Sequence, residues 1–282
     1  MVNVFTFVLA SLLSGGCESK APLLKPPSTS QTDVENARDL KLAESDATEP
    51  RTSLLVNVTI SKTQLRVGDQ VVLELADAYD PQFHRIRAQY KLGGHVNSLA
   101  LLPLMKVLQP LRDERRRQRE LISTAAIVVD GATPFLLFAE VMYTLELAEF
   151  GAFELVVSNR HESRVIRVTV PSQEDVKASN VDVIAVNGGF IVSAFGSRFG
   201  SGCRERGPGI TVPQSNGTYD FSALRECAAK TRQRFPNVGE GPVTLTANPD
   251  VPFQVIVSAM DALRSRDDGA ALFPRARFTI LR

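Results

Sequence analysis

Past residue 52 the apolar positions of the chain follow two alternating periods. Val56, Val58 and Ile60 alternate with polar neighbours, and residues 71–75 (VVLEL) are rich in β-branched and apolar side chains, so both stretches predict strands. A helix is predicted over 98–120, because Leu101, Leu104, Met105, Leu108 and Leu111 recur at three and four residues and form one stripe. Pro103 suits its first turn, whereas Pro110 is expected to kink or break it. A strand over 124–129, a helix over 134–149 and a strand over 153–157 complete this half, with Thr133 read as the N-cap and Pro134 as the first helical residue.

The second half repeats the pattern. Strands are predicted at 183–186 and 190–194 around the tight-turn signal Asn187-Gly188-Gly189, with a short strand at 210–212. A helix over 221–234 opens after Asp220, a strand follows at 243–247, and a helix over 252–264 and a strand over 275–281 close the chain. Placing Pro134-Phe135 on Pro252-Phe253 brings Met142 onto Met260, Leu145 onto Leu263, Asp130 onto Asn248 and Ile127 onto Leu245 without a gap. After a two-residue adjustment Phe153 falls on Phe273. Shared apolar positions at helical spacing predict a duplicated domain of about 100 residues, with the Met and Phe side chains serving as core.

The chain opens differently. Residues 4–13 (VFTFVLASLL) are an apolar run of signal-peptide length, about half of what a membrane-spanning helix needs. The following Leu13-Ser14-Gly15-Gly16-Cys17 resembles a bacterial lipobox, so residues 1–17 are read as a signal peptide that leaves Cys17 as the lipidated first residue. The alternatives are an ordinary secretory signal and a misplaced start codon. Residues 18–51 are rich in Pro, Ser, Thr, Asp and Glu without a sustained period, and are expected to be a disordered linker with a span of roughly 30 Å. Lipidation of Cys17 leaves Cys203 and Cys227 as an even pair in an oxidising compartment. A disulfide between them is the expectation, and two unrelated thiols the alternative.

Composition narrows the function classes. With 282 residues and 44% hydrophobic content the chain supports a core in each of two modest modules. Lys plus Arg (32) balance Asp plus Glu (31), so no global field favours nucleic acid. The absence of Trp argues against stacking platforms for carbohydrate or single-stranded nucleic acid, which leaves protein as the expected partner. His84, His95 and His161 share no metal-ligand spacing, and no nucleophile elbow, zinc-protease, P-loop or CxxC motif occurs. Residues 196–209 read as a mobile glycine-rich loop. Arg115, Arg116 and Arg117, beside Asp113, Glu114 and Glu120, read as a solvated helix end. Asp261 is read as a surface charge or helix-end contact. No catalytic, cofactor-binding or metal-ligating residue is expected.

Residues 243–280 (VTLTANPDVPFQVIVSAMDALRSRDDGAALFPRARFTI) resemble the periplasmic domain of the ExbD/TolR biopolymer-transport family. There a strand ends in a polar turn, a helix opens near a Pro, and a Met-Asp pair, here Met260-Asp261, precedes a final strand. The likeness covers 181–282 well and is fainter over the first half, where Met142 is kept but Tyr143 stands in place of the Asp. It implies an α+β fold of two tandem modules, 52–170 and 181–282, each a small mixed sheet with two helices on one face. It also implies a non-catalytic, lipid-anchored protein of the periplasm or cell envelope. Its expected partners are ExbB/TolQ-type motor proteins, TonB- or TolA-like proteins or a second copy, and peptidoglycan binding is the alternative. Proton relay is not carried over, because the family's membrane helix bears an acidic residue and the run at 4–13 has none. The two modules are further expected to pair as a pseudo-dimer.

Overall fold

The computed structural model describes residues 40–49, 56–118, 123–159, 162–169, 181–236, 241–264, 272–273 and 276–279. The expected signal peptide with Cys17 and most of the expected linker lie outside the described residues.

The fold is α+β, with one mixed sheet in each half. In the first, β1 (Val56–Ile60), β2 (Gln64–Val67), β3 (Gln70–Glu74), β6 (Ser123–Val129), β7 (Phe150–Asn159) and β8 (Glu162–Thr169) lie in the order β3-β2-β1-β6-β7-β8. A small hairpin of β4 (Tyr79–Asp80) and β5 (Arg85–Ile86) stands apart from it. In the second, β9 (Val181–Val186), β10 (Gly189–Ala194), β11 (Ser197–Arg198), β13 (Val243–Ala247) and β14 (Ala276–Phe278) lie in the order β11-β10-β9-β13-β14, with β12 (Val212–Pro213) paired to β10. Both sheets are built alike. An antiparallel hairpin is followed by a helical crossover to a parallel strand and a second crossover to another. Registers agree as well: Val58, Ile127 and Leu155 stand side by side in the first sheet, as Val183, Leu245 and Phe278 do in the second. The strand equivalent to the one bearing Phe153 therefore places Ala276 opposite Val243, and Phe273, set against Phe153 by sequence, lies ahead of that strand. There its N–H donates to the Leu263 carbonyl, closing the end of the preceding helix.

Four helices supply the crossovers: α1 (Leu102–Gln118) and α2 (Phe135–Leu147) in the first half, α3 (Phe221–Arg234) and α4 (Phe253–Arg264) in the second. The predicted stripe on α1 is buried at Leu101, Leu104, Met105 and Leu108, but the helix runs on through Pro110 instead of ending there. Asp220 caps α3, accepting from the Ala223 N–H at 2.8 Å. Helices cover one face of each sheet, where inward residues such as Val58, Ile127, Val183 and Leu245 meet Leu104, Phe138, Leu224 and Phe253. The expectation of a separate core in each half is corrected. Buried apolar side chains form one cluster across both halves, because aromatic residues of α2 and α4 pack against one another.

The linker expectation fails at its end. Residues 40–49, here called the strap, are packed: Ala43 and Ala47 are buried, and Leu40 and Leu42 cover Ala126, Val128, Val156 and Val165 on the helix-free face of the first sheet. The strap buries small residues and draws its hydrogen bonds from the folded halves, so hydropathy gave no sign of it. The glycine-rich loop is also held. Cys203 and Cys227 are joined by a disulfide with a Cα–Cα distance of 5.4 Å, and Gly200 and Gly202 donate to the Glu205 and Thr211 carbonyls. The hairpin at Asn187-Gly188 requires Gly189, whose φ is +139° and whose missing Cβ would fall 2.0 Å from the Val212 carbonyl oxygen.

Candidate functional site

Two helix starts meet at the centre of the molecule. Pro134 and Pro252 form an antiparallel bridge, and the contacts around it are reciprocal. The Phe135 N–H donates to the Val251 carbonyl and the Phe253 N–H to the Thr133 carbonyl, both at 2.8 Å. The Leu136 N–H donates to Pro249 at 3.1 Å and the Gln254 N–H to Gly131 at 2.8 Å. Each contact is carried into its partner by the residue offset that separates Pro134 from Pro252, the signature of an isologous two-fold interface folded into one chain. First-turn N–H groups of a helix have no partner within that helix. Here the other half supplies the acceptors, and their carbonyl oxygens also face the positive ends of both helix dipoles. Thr133 is consequently not the side-chain cap expected from sequence. Pro134 occupies the cap position with no side-chain cap bond, and the Thr133 carbonyl serves the opposite helix.

Phe138 of α2 cements the seam. It is fully buried, with its ring 4.7 Å from Phe253 and 5.3 Å, edge-on, from Phe278.

The same offset relates two grooves, one along each central helix. On α4, Gln254, Ser258 and Asp261 border a cavity of about 550 Å³ shared with Phe221 and Arg225, and the strap lies in this groove. The Gln254 side chain grips the Glu44 backbone from both sides, accepting from its N–H at 2.7 Å and donating to its carbonyl at 2.9 Å. Asp261 accepts from the Ser45 hydroxyl at 2.9 Å and from the Asp46 N–H at 3.2 Å. Burial raises the Asp261 carboxyl above its ordinary range, against the lowering pull of those two donors. Its expected reading as a surface charge is therefore corrected: this carboxylate is half-buried and holds the strap. From the first sheet, Ser158 continues β7 onto the strap, its carbonyl accepting from Ser45 at 3.0 Å and its N–H donating to Ala43 at 2.9 Å.

On α2 the equivalent residues Leu136, Glu140 and Tyr143 border a cavity of about 700 Å³. Its rim carries the exposed apolar side chains Leu92, Val96 and Leu147. Glu140 is fully buried and accepts from the Lys91 ammonium at 2.7 Å and from the Ile86 N–H at 3.2 Å. Lys91, itself 2% exposed, also donates to the Val96 carbonyl at 3.0 Å. Burial pushes the Glu140 carboxyl up to about 7 in spite of Lys91. The pair pins the segment between β5 and α1 onto α2, a structural use that an uncompensated buried charge would not permit. Sequence reasoning missed both grooves. The available signals were Glu140 inside the apolar run FLLFAEVMY, which needs a partner when buried, and the alternation of small residues at Ala43, Ser45 and Ala47.

The other expected residues separate. His84 lies 3.3 Å from the Tyr79 hydroxyl, His95 is exposed, and His161 is outside the described residues. Among the described residues no His, Cys, Asp and Glu group is arranged to hold a metal ion. Arg116 and Arg117 make exposed ion pairs with Glu149 and Glu114. No described helix is long and apolar enough to cross a membrane. The chain matches no protein-family model, no curated protein and no solved structure. The arrangement consists of two grooves related by one residue offset, and in one of them Gln254 holds the Glu44 backbone.

Proposed function

We propose that this chain is a non-catalytic interaction protein of the periplasm or cell envelope, of the ExbD/TolR type. It is held to the membrane by lipid on Cys17 and is accessory to a proton-driven motor without relaying the proton. The observation that carries the reading is the reciprocal seam at Pro134 and Pro252, which turns two tandem copies into one pseudo-dimer and leaves their grooves on its surface. A covalent pair fixes the relative placement of two docking surfaces, so a partner meets both without the entropy cost of assembling a dimer. The family likeness of residues 243–280 supplies the partner class, namely ExbB/TolQ-type motor proteins or TonB- and TolA-like proteins.

The test is copurification from gently solubilised membranes, run beside retention on purified sacculi. Recovery of motor components with the full chain, and no retention on sacculi, is expected. Retention on sacculi without motor components overturns the motor reading and points to a peptidoglycan-binding lipoprotein.

A further inference from the structure

We propose that the α4 groove is a peptide-docking site whose strap is a displaceable occupant, and that its ligand in trans is an extended protein segment with Ala, Ser or Gly at three alternate positions. The proposal rests on the reading of the chain as an interaction protein, though not on the family it resembles.

At the α4 groove the strap is read mainly through its backbone, while Leu40 and Leu42 ahead of it pack on the first sheet. Glu44 is held by Gln254 at both its N–H and its carbonyl, Ala43 and Ser45 by ladder bonds to Ser158, and Asp46 by Asp261. The Ala47 carbonyl accepts from the Asn159 side chain at 2.9 Å, and the Glu49 carbonyl from the Val165 N–H at 3.0 Å. Donors and acceptors of this kind recognise any chain that is extended, as strand addition does. Side chains act as a filter. Ala43, Ser45 and Ala47 point inward and are buried, whereas Glu44 and Asp46 point outward, so the groove admits small residues at every second position and tolerates variety between them. Among the described residues, Ser45, through its hydroxyl on Asp261, and Glu49, through Arg167 and Arg264, add side-chain bonds.

Outside the groove the strap is held by Leu40 and Leu42 on Ala126, Val128, Val156 and Val165 and by the Lys41 N–H on Asp130, and within the groove its own contribution is small. It buries two alanines and a serine at the groove, and Glu44 and Asp46 border a cavity of about 550 Å³ together with Phe221 and Arg225. A competing segment with the same small residues and larger intervening ones has that space to extend into. The strap's own advantage is that it is tethered, which corresponds to an effective concentration on the order of 1 mM. A partner concentrated by a second contact on the same body meets that advantage on equal terms.

The experiment uses the full chain and a fluorescein-labelled peptide of residues 40–49 (LKLAESDATE) as probe, read by fluorescence anisotropy. In the double variant Ala43→Arg with Ala47→Arg the cis strap is unseated. Its apparent affinity for the probe is expected to rise roughly 100-fold over wild type, for a probe Kd of about 10 μM and a tether near 1 mM. The same probe carrying both arginines is expected not to bind, and adding Gln254→Ala to the double variant is expected to abolish the gain. A folded double variant, by circular dichroism, that does not bind the probe overturns the proposal. Hydrogen exchange on the wild type decides the matter if the variant does not fold. Ser45 and Asp46 amides are expected to exchange through a local opening while β7 stays protected. Exchange only through global unfolding overturns the proposal. Neither failure touches the copurification test, so the wider reading stands or falls separately.

Discussion

Phe138→Ala removes a fully buried ring that belongs to α2 but packs between Phe253 and Phe278 of the other half. Truncating a buried Phe costs about 3–5 kcal/mol through lost transfer energy and the residual cavity. Two aromatic pairs across the seam account for roughly 0.5–1.5 kcal/mol each of that. For a chain of this size with a urea m-value of about 3 kcal/mol/M, the midpoint should fall by about 1–1.7 M. Because the sequence has no Trp, the unfolding is best followed by far-UV circular dichroism, with residue-resolved hydrogen exchange to locate the loss. Loss of protection in β13 together with β6, within one transition, is the expected result. If β13 keeps its wild-type protection, or the curve splits into two steps, the halves fold independently and the seam is a mere contact.

The Glu140 carboxyl lies at about 7 in the folded protein against an ordinary 4.5, so between those values the folded state holds a proton that the unfolded chain has lost. Its contribution is therefore most favourable below pH 4.5 and is lost as pH rises through 7, and Glu140→Gln should flatten this part of a thermal-stability profile. An unchanged slope in that variant would show that the buried pair does not titrate in this range. Replacing Cys203 and Cys227 by Ser opens a loop spanning 24 residues of sequence separation and should cost about 3 kcal/mol, or roughly 6–12 °C in Tm. Scanning calorimetry with and without reductant checks this, and equal Tm values would contradict it. Gly189→Ala should cost more than about 1 kcal/mol and disturb the β10–β12 pairing, since both its φ and the Val212 carbonyl oppose a side chain. A variant with wild-type melting would remove the argument for that turn.

How far the fold was legible depended on how each element is specified. Helix α3 and strand β13 fall where period and capping place them, because Asp220 and the apolar spacing are local properties of the chain. Strand β2 (QLRV) was missed since Leu65 and Val67 are its only apolar residues. Strand β8 was missed because its apolar residues are interspersed with Arg164 and Arg167. The paired Pro-Phe motifs were readable as a repeat. Their meeting face to face was not, since the acceptors for Phe135 and Phe253 lie more than a hundred residues away in sequence. For the same reason Gln254 gave no local signal of the strap it holds, and Lys91 no signal of Glu140.

The central claim is that each half completes the helix start of the other. The amide protons of Phe135, Leu136, Phe253 and Gln254 test it most directly, by native-state hydrogen exchange followed with NMR on the full chain. All four should be protected to the level of the β6 and β13 amides, in spite of sitting in first turns where such groups ordinarily face water. Rapid exchange at these four positions, with β6 and β13 protected, would mean that the halves do not meet at Pro134 and Pro252.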